Sequence, residues 1–221
     1  MAKSLLVLGN KKYSSWSLRA WIGLTMAEVP FEERVIKLFR PETAADIRRH
    51  SSAGRVPVLV EDGLTVHDSL AILEYVNEAH AGGRLWPADR AARARARSVS
   101  AEMHAGFPNV RSRMPMNLAR DPAPLSLQWG IDSATEAELE RLLTLWEGLL
   151  VESGGPFLFG EWCIADCMYL PVATRLRTYA VDLSAYPLSA AYVQRLLALP
   201  AFRRWEADAR AEPEEHPDYA R

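Results

Sequence analysis

Cysteine is scarce in this chain of 221 residues: Cys163 and Cys167 are the only two. So few exclude a disulfide-stapled scaffold, and the expected setting is a reducing one, the cytoplasm. Net charge is small as well, −2 at pH 7. It gives no large attraction to DNA, RNA or an anionic membrane, so neither nucleic acid nor membrane is an expected partner. No segment approaches the ~20 apolar residues of a membrane span, and the first apolar run, residues 5–8, is too short for a secretory leader. Internal repeats and long low-complexity tracts are missing too. What is present is ordinary for a globular protein: 49% of residues are hydrophobic and 24% charged, enough for one large or two small cores.

Hydrophobic spacing divides the chain at Gly82-Gly83-Arg84-Leu85-Trp86-Pro87. Ahead of this break, residues 5–8 are wholly apolar and suit a strand covered on both faces. Trp16, Ala20, Leu24 and Ala27 recur at helical spacing, and Pro30 ends that helix. A second strand follows over 31–38 and a weakly amphipathic helix from Pro41 to about residue 50. Val58-Leu59-Val60 and Leu64-Thr65-Val66 flank Glu61-Asp62-Gly63, a strong hairpin signal. Asp68 then opens a helix to about residue 79. The order is β-α-β-α-β-β-α.

Behind the break nearly everything is helical. Residues 89–118 read as one long helix bent near Gly106-Phe107-Pro108, and 119–132 as a loop. Ser133-Ala134-Thr135-Glu136 has the spacing of a capping box. An apolar helix over 164–179 is interrupted or restarted around Pro171, and 190–197 and 201–209 complete a bundle. The expected domains are therefore 1–81, mixed α/β, and 88–221, all helical. The polar tail, 212–221, is either frayed or draped on the surface.

Three short motifs carry the chemistry. Tyr13-Ser14-Ser15-Trp16-Ser17 is a hydroxyl-rich turn running into a helix. Arg55-Val56-Pro57-Val58-Leu59 leads into a strand. Asp68-Ser69 opens a helix, whose unpaired N–H groups attract an anion. Each has a plain local explanation, a helix cap or an ordinary turn.

Together, in this order and on this element pattern, they resemble the cytosolic glutathione transferase superfamily over essentially the whole chain. Ser14-Ser15-Trp16-Ser17-Leu18-Arg19 is similar to the zeta-class signature Ser-Ser-Cys-Ser-x-Arg, with Trp16 in place of cysteine. The resemblance implies a thioredoxin-like N-terminal domain that binds glutathione, an all-α domain that supplies the second site, and a homodimer. It implies that Ser14 contacts the glutathione sulfur and Ser15 shapes the turn, although the theta and delta patterns point to Ser15. A hydroxyl donor lowers the cost of forming a thiolate, since a free thiol titrates near ~8.5. The resemblance further implies a cis Val56–Pro57 bond, with the Val56 backbone pairing to the ligand, and Asp68 and Ser69 holding its γ-glutamyl end. Arg55, Lys37 and Arg40 are candidates for its carboxylates.

For the electrophile, His104, Phe107, Arg111 and Arg175 are the candidates. By an ungapped match, the arginine that zeta isomerases use for acidic substrates falls on Thr178, which counts against maleylacetoacetate isomerisation unless Arg175 or Arg177 substitutes. Gly160 to Asp166 resembles the family's sixth-helix capping box, with Cys163 in the hydroxyl position. Cys163 and Cys167 lack further soft ligands nearby and read as buried thiols, so no metal is expected. Arg90, Arg93, Arg95 and Arg97 read as an exposed helix stripe that faces either solvent or a partner subunit. The expected activity is a glutathione transferase acting on a hydrophobic electrophile. The alternatives are an isomerase or peroxidase of the same fold, and a non-catalytic binding protein.

Overall fold

The computed structural model describes residues 4–124, 132–216 and 219. β1 (Ser4–Gly9), β2 (Phe31–Ile36), β3 (Val58–Glu61) and β4 (Leu64–Val66) form one sheet in the order β2-β1-β3-β4. β1 runs parallel to β2 and antiparallel to β3, with Leu6 opposite Leu59. The alternation along β1 explains its unbroken apolar run. Leu6 and Leu8 face one core, built with α1 (Ser15–Met26) and α3 (Ser69–Ala79), whereas Val7 joins Ile36, Ile47 and Val58 in a second core beside α2 (Thr43–Arg48). Side chains of a strand alternate between faces, so a strand covered twice needs apolar residues at every position.

The C-terminal domain is helical: α4 (Arg90–Ala105), α5 (Pro108–Arg113), α6 (Ser133–Ser153), α7 (Ile164–Thr178), α8 (Pro187–Ala198) and α9 (Pro200–Ala211). α1 is the joint. It packs on α3 in its own domain and on α7 and α9 in the other. Gly23 permits the approach, because a Cβ there would meet Leu73 Cδ2 at 2.0 Å. Leu18, Ile22, Leu73, Met168 and Val172 belong to one continuous core that runs through both domains.

Three helix boundaries differ from expectation. The 89–118 stretch is two helices and not one bent one. Gly106 closes α4, Phe107 turns left-handed at φ 54°, and Pro108 takes the first turn of α5. Proline fits that first turn better than an interior, because its missing N–H goes unneeded there. The cap of α6 is Asp132, whose carboxylate accepts from Thr135 N at 2.8 Å; Ser133 is already helical. α7 passes through Pro171 without interruption. It is buried on nearly every face, and that burial outweighs the ~3 kcal/mol cost of an interior proline. β2 also stops at Ile36, two residues short of the expected 38. Of the loop expected at 119–132, residues 125–131 lie outside the described residues.

Candidate active site

A cavity of about 830 Å³ opens between the two domains, lined by all three sequence motifs and by α4, α5 and α7. Ser14 caps α1: its Oγ accepts from Ser17 N at 3.3 Å and donates to Ser17 Oγ at 2.8 Å. Ser17 Oγ is tied in turn to Gly9 N at 3.0 Å, so the turn is anchored to the end of β1. Ser15 Oγ accepts from Arg175 Nη2 at 3.2 Å. Both serines line the cavity at the positive end of α1. The rival hydroxyl, Tyr13, lines it too, but donates to Glu214 O at 3.3 Å.

The Val56–Pro57 bond is cis, and both residues line the cavity with Arg55. Asp68 caps α3 through Leu70 N and Ala71 N, at 3.0 and 3.3 Å. Its other oxygen meets His104 Nε2 at 3.0 Å, a link across the two domains. Ser69 is fully buried, and its Oγ has no hydrogen-bond partner. It stands behind Asp68 at the helix start and, unlike Asp68, is not among the residues that line the cavity.

The opposite wall is cationic. Arg175 is buried, with Nε on Met114 O at 2.8 Å and Nη1 on Pro171 O at 2.9 Å. Arg111 Nη1 holds His104 O at 3.1 Å, and its guanidinium lies 5.7 Å from the Trp16 ring centre. Arg19 sits 4.5 Å from the same ring, wholly buried, and donates to Met168 O at 3.1 Å. Burial first, then repulsion from Arg175 and Arg111, pushes Arg19 down to about 9; burial pushes Arg175 down to about 10. Among the described residues none of these three arginines has a carboxylate ion-pair partner. Trp16, where the zeta signature carries cysteine, is thus the aromatic surface on which two guanidiniums rest, with the edge of His104 5.1 Å away.

Not every expected residue reaches the cavity. Phe107 is buried in the core. Lys37 is exposed and paired with Glu214 at 2.6 Å, and Arg40 lies on the surface with its backbone N–H on Thr43 Oγ1. Thr178 is buried away from the lining, whereas Arg175, one helical turn earlier, takes the place beside Ser15; Arg177 pairs with Glu206. Sequence reasoning missed Phe39, Met116 and Tyr219 as cavity residues. Nothing in local spacing marks them, because tertiary packing alone carries them there. Cys163 and Cys167 are free and buried, and among the described residues no group of three or more His, Cys, Asp or Glu side chains is placed to hold a metal.

A model of the glutathione S-transferase N-terminal domain matches residues 13–79, and one of the C-terminal domain matches residues 92–208. The chain belongs to the glutathione S-transferase family. A probable maleylacetoacetate isomerase of Caenorhabditis elegans is 30% identical over 219 residues, covering 99% of this chain and 98% of that one. A maleylpyruvate isomerase of Ralstonia is 27% identical, covering 95% and 100%. Among solved structures, a glutathione transferase homologue from Burkholderia with bound glutathione superimposes with TM-score 0.70 at 27% identity, covering 95% of this chain and 100% of that one. A holo maleylpyruvate isomerase of the zeta class superimposes with TM-score 0.71 at 26% identity, covering 96% and 100%. The N-terminal domain is thus the thioredoxin-like half of a glutathione S-transferase, and glutathione is the co-substrate of this family.

Proposed function

We propose that this family member is a glutathione-dependent cis–trans isomerase of a small unsaturated acid, similar to the maleylacetoacetate and maleylpyruvate isomerases among its relatives. The observation that carries the proposal is the pair Arg111 and Arg175, cations without carboxylate partners on the wall facing the serine turn. A cation left unpaired in a partly dry cavity is destabilising unless an anion arrives to meet it. A transferase for hydrophobic electrophiles has no use for such a pair.

Glutathione, when bound, supplies a thiol able to add to a conjugated alkene carbon and to leave again after the bond has rotated. The protein's residues prepare both ends. Ser14 and Ser17 share one hydrogen bond, so a simple hydroxyl rotation lets Ser17 donate to Ser14 while Ser14 turns its hydrogen into the cavity. That donor, at the head of α1, stabilises negative charge on sulfur. The Val56 backbone clamps the peptide, and Asp68 and Ser69 take its γ-glutamyl end. Arg175 and Arg111 hold the carboxylates of the acid, and Trp16 shields them from water.

The test compares maleylpyruvate with its neutral dimethyl ester in the presence of glutathione. The acid should have a kcat/KM at least about tenfold higher, since a hydrogen bond to a charged group is worth ~1.5–3 kcal/mol. Arg111→Met should erase most of that difference. Equal handling of acid and ester would remove the arginines from substrate recognition.

A further inference from the structure

The polar stretch behind α9 is stitched into the N-terminal domain. Glu212 places one carboxylate oxygen on Lys11 N at 2.7 Å and the other on Lys12 N at 3.0 Å. Lys12 Nζ and Tyr13 OH both donate to Glu214 O, at 3.0 and 3.3 Å. The Glu214 carboxylate meets Lys37 Nζ at 2.6 Å. Further on, the His216 ring lies 4.0 Å from Phe39, and the Tyr219 ring lies 4.9 Å from Tyr13 and 5.2 Å from Phe39. From the helical side, Asn117 Nδ2 donates to Tyr219 O at 2.7 Å.

Tyr219 is therefore gripped by both domains, and it lines the same cavity as Ser14 and Arg175. Its neighbours in the stack, Tyr13 and Phe39, line that cavity as well. The stretch that holds Tyr219 through Asn117 also holds Arg175, whose Nε donates to Met114 O at 2.8 Å, so both residues are fixed by the same few residues after α5. Aromatic stacking of this kind adds to the area it buries and holds the Tyr219 ring against Tyr13 and Phe39.

We propose that Tyr219 is a specificity-determining residue whose ring, held in place by the Glu212 and Glu214 anchors, closes the cavity beside Arg175 and limits the length of acid that fits. This rests on the isomerase reading of the cavity. Tyr219 and Arg175 line one cavity and are tied to the same stretch, so on that reading this wall meets the second substrate, and the glutathione affinity of the variants separates that role from one in holding glutathione. A hydrophobic wall discriminates one methylene by about 10- to 200-fold at most, which sets the scale of the expected effect.

The experiment uses maleylpyruvate and maleylacetoacetate, which differ by one methylene. It measures kcat and KM for each with wild type, Tyr219→Ala, Tyr219→Phe and Glu212→Ala, with glutathione affinity by calorimetry alongside. Tyr219→Ala should shift the ratio of the two kcat/KM values at least about fivefold towards the longer acid, with glutathione affinity within about twofold of wild type. Tyr219→Phe should keep the wild-type ratio, and Glu212→Ala, which loosens the anchor and leaves the ring in the chain, should shift it the same way as Tyr219→Ala. Normal glutathione binding with an unchanged ratio in Tyr219→Ala would overturn the proposal, as would an equal shift in Tyr219→Phe. Wild-type protein that binds no glutathione, or that turns over neither acid, would overturn the underlying reading and this proposal with it.

Discussion

Ser14 and Ser15 are adjacent, similarly buried and differently engaged. Ser15 Oγ accepts from Arg175 and keeps its own hydrogen to donate, whereas the Ser14 hydrogen goes to Ser17 until that pair reverses, so the assignment of the sulfur contact to Ser14 rests on the match to the zeta signature. Ser14→Ala should lower kcat/KM more than tenfold, because a donor to a charged sulfur is worth ~1.5–3 kcal/mol. Ser15→Ala should do less, and the reverse ranking in steady-state kinetics would exchange the two assignments. Ser69 is a different case. The family resemblance gives its hydroxyl to the γ-glutamyl end, remote from the reacting sulfur, and such a contact should bind ground state and transition state alike. Ser69→Ala should raise the KM for glutathione several-fold and leave kcat within about a factor of three. At this scale the sequence was most readable where a motif combines a capping side chain with a turn, as at Ser14 and Asp68. It was least readable for Lys37 and Phe107. The first is drawn off by Glu214, and the second goes to the core because a left-handed turn between α4 and α5 redirects it.

Among the elements, two buried carboxylates fix how helices and strands meet. Asp166 accepts from Cys163 N at 2.8 Å, Leu158 N at 3.3 Å and Tyr192 OH at 2.7 Å, which ties the start of α7 to the preceding loop and to α8. The expected capping role of Asp166 therefore holds, with Cys163 as the cap residue. Asp166→Ala strands these donors in the core and should cost about 2–4 kcal/mol in urea unfolding. Glu61, at the end of β3, takes hydrogen bonds from Ser4, from Tyr75 at 2.5 Å and from His80 at 2.9 Å. Burial pushes its carboxyl up, but those hydrogen bonds win and hold it below the usual range. A carboxyl depressed in the folded state stabilises the protein above its unfolded value of ~4.3, and that stability is lost as pH falls through the folded value. Wild type should therefore lose stability more steeply than Glu61→Gln below about pH 5, and parallel urea midpoints over that window would refute the linkage. The sheet and α3 were legible from alternation and from Asp-Gly, because both are local. Pro171 and the Asp132 cap were not, because the burial around α7 and the choice between two adjacent capping residues are settled by tertiary packing.

At the level of the whole molecule, α1 joins both domains and the strap beyond α9 returns to the first of them. Cys163 and Cys167 lie deep in that joint core, and burial pushes both thiols well above their ordinary value. The native protein should resist iodoacetamide at pH 8, whereas the urea-unfolded chain should take up two labels; rapid labelling of the folded protein would show that the core opens. We also expect a two-fold homodimer, checked by sedimentation, in which a concentration-independent monomer would refute it. The arginine stripe on α4 is largely engaged within the chain: Arg93 holds the Pro87 and Ala88 carbonyls, Arg95 pairs with Glu152, and Arg97 with Glu74. Arg90, the first residue of α4, is exposed and stands outside these pairs. The order of elements and the motifs that reach the cavity wall were readable from the chain because each of them is local in sequence. Of the cationic side, Arg111 and Arg175 were named from the chain, whereas the place of Arg19 under Trp16 and of Tyr219 in the cavity was not, since tertiary packing alone brings them there.

The central claim is that the cavity isomerises an acid and does not conjugate it, and the thiol balance tests this most directly. Maleylpyruvate is carried to completion with a limiting amount of glutathione, the alkene followed by proton NMR and free thiol by assay. The account predicts that the trans acid accumulates in excess of the glutathione added while the free thiol stays at its starting level. A mole-for-mole fall in thiol, with conversion stopping when glutathione runs out and no trans acid formed, would contradict it.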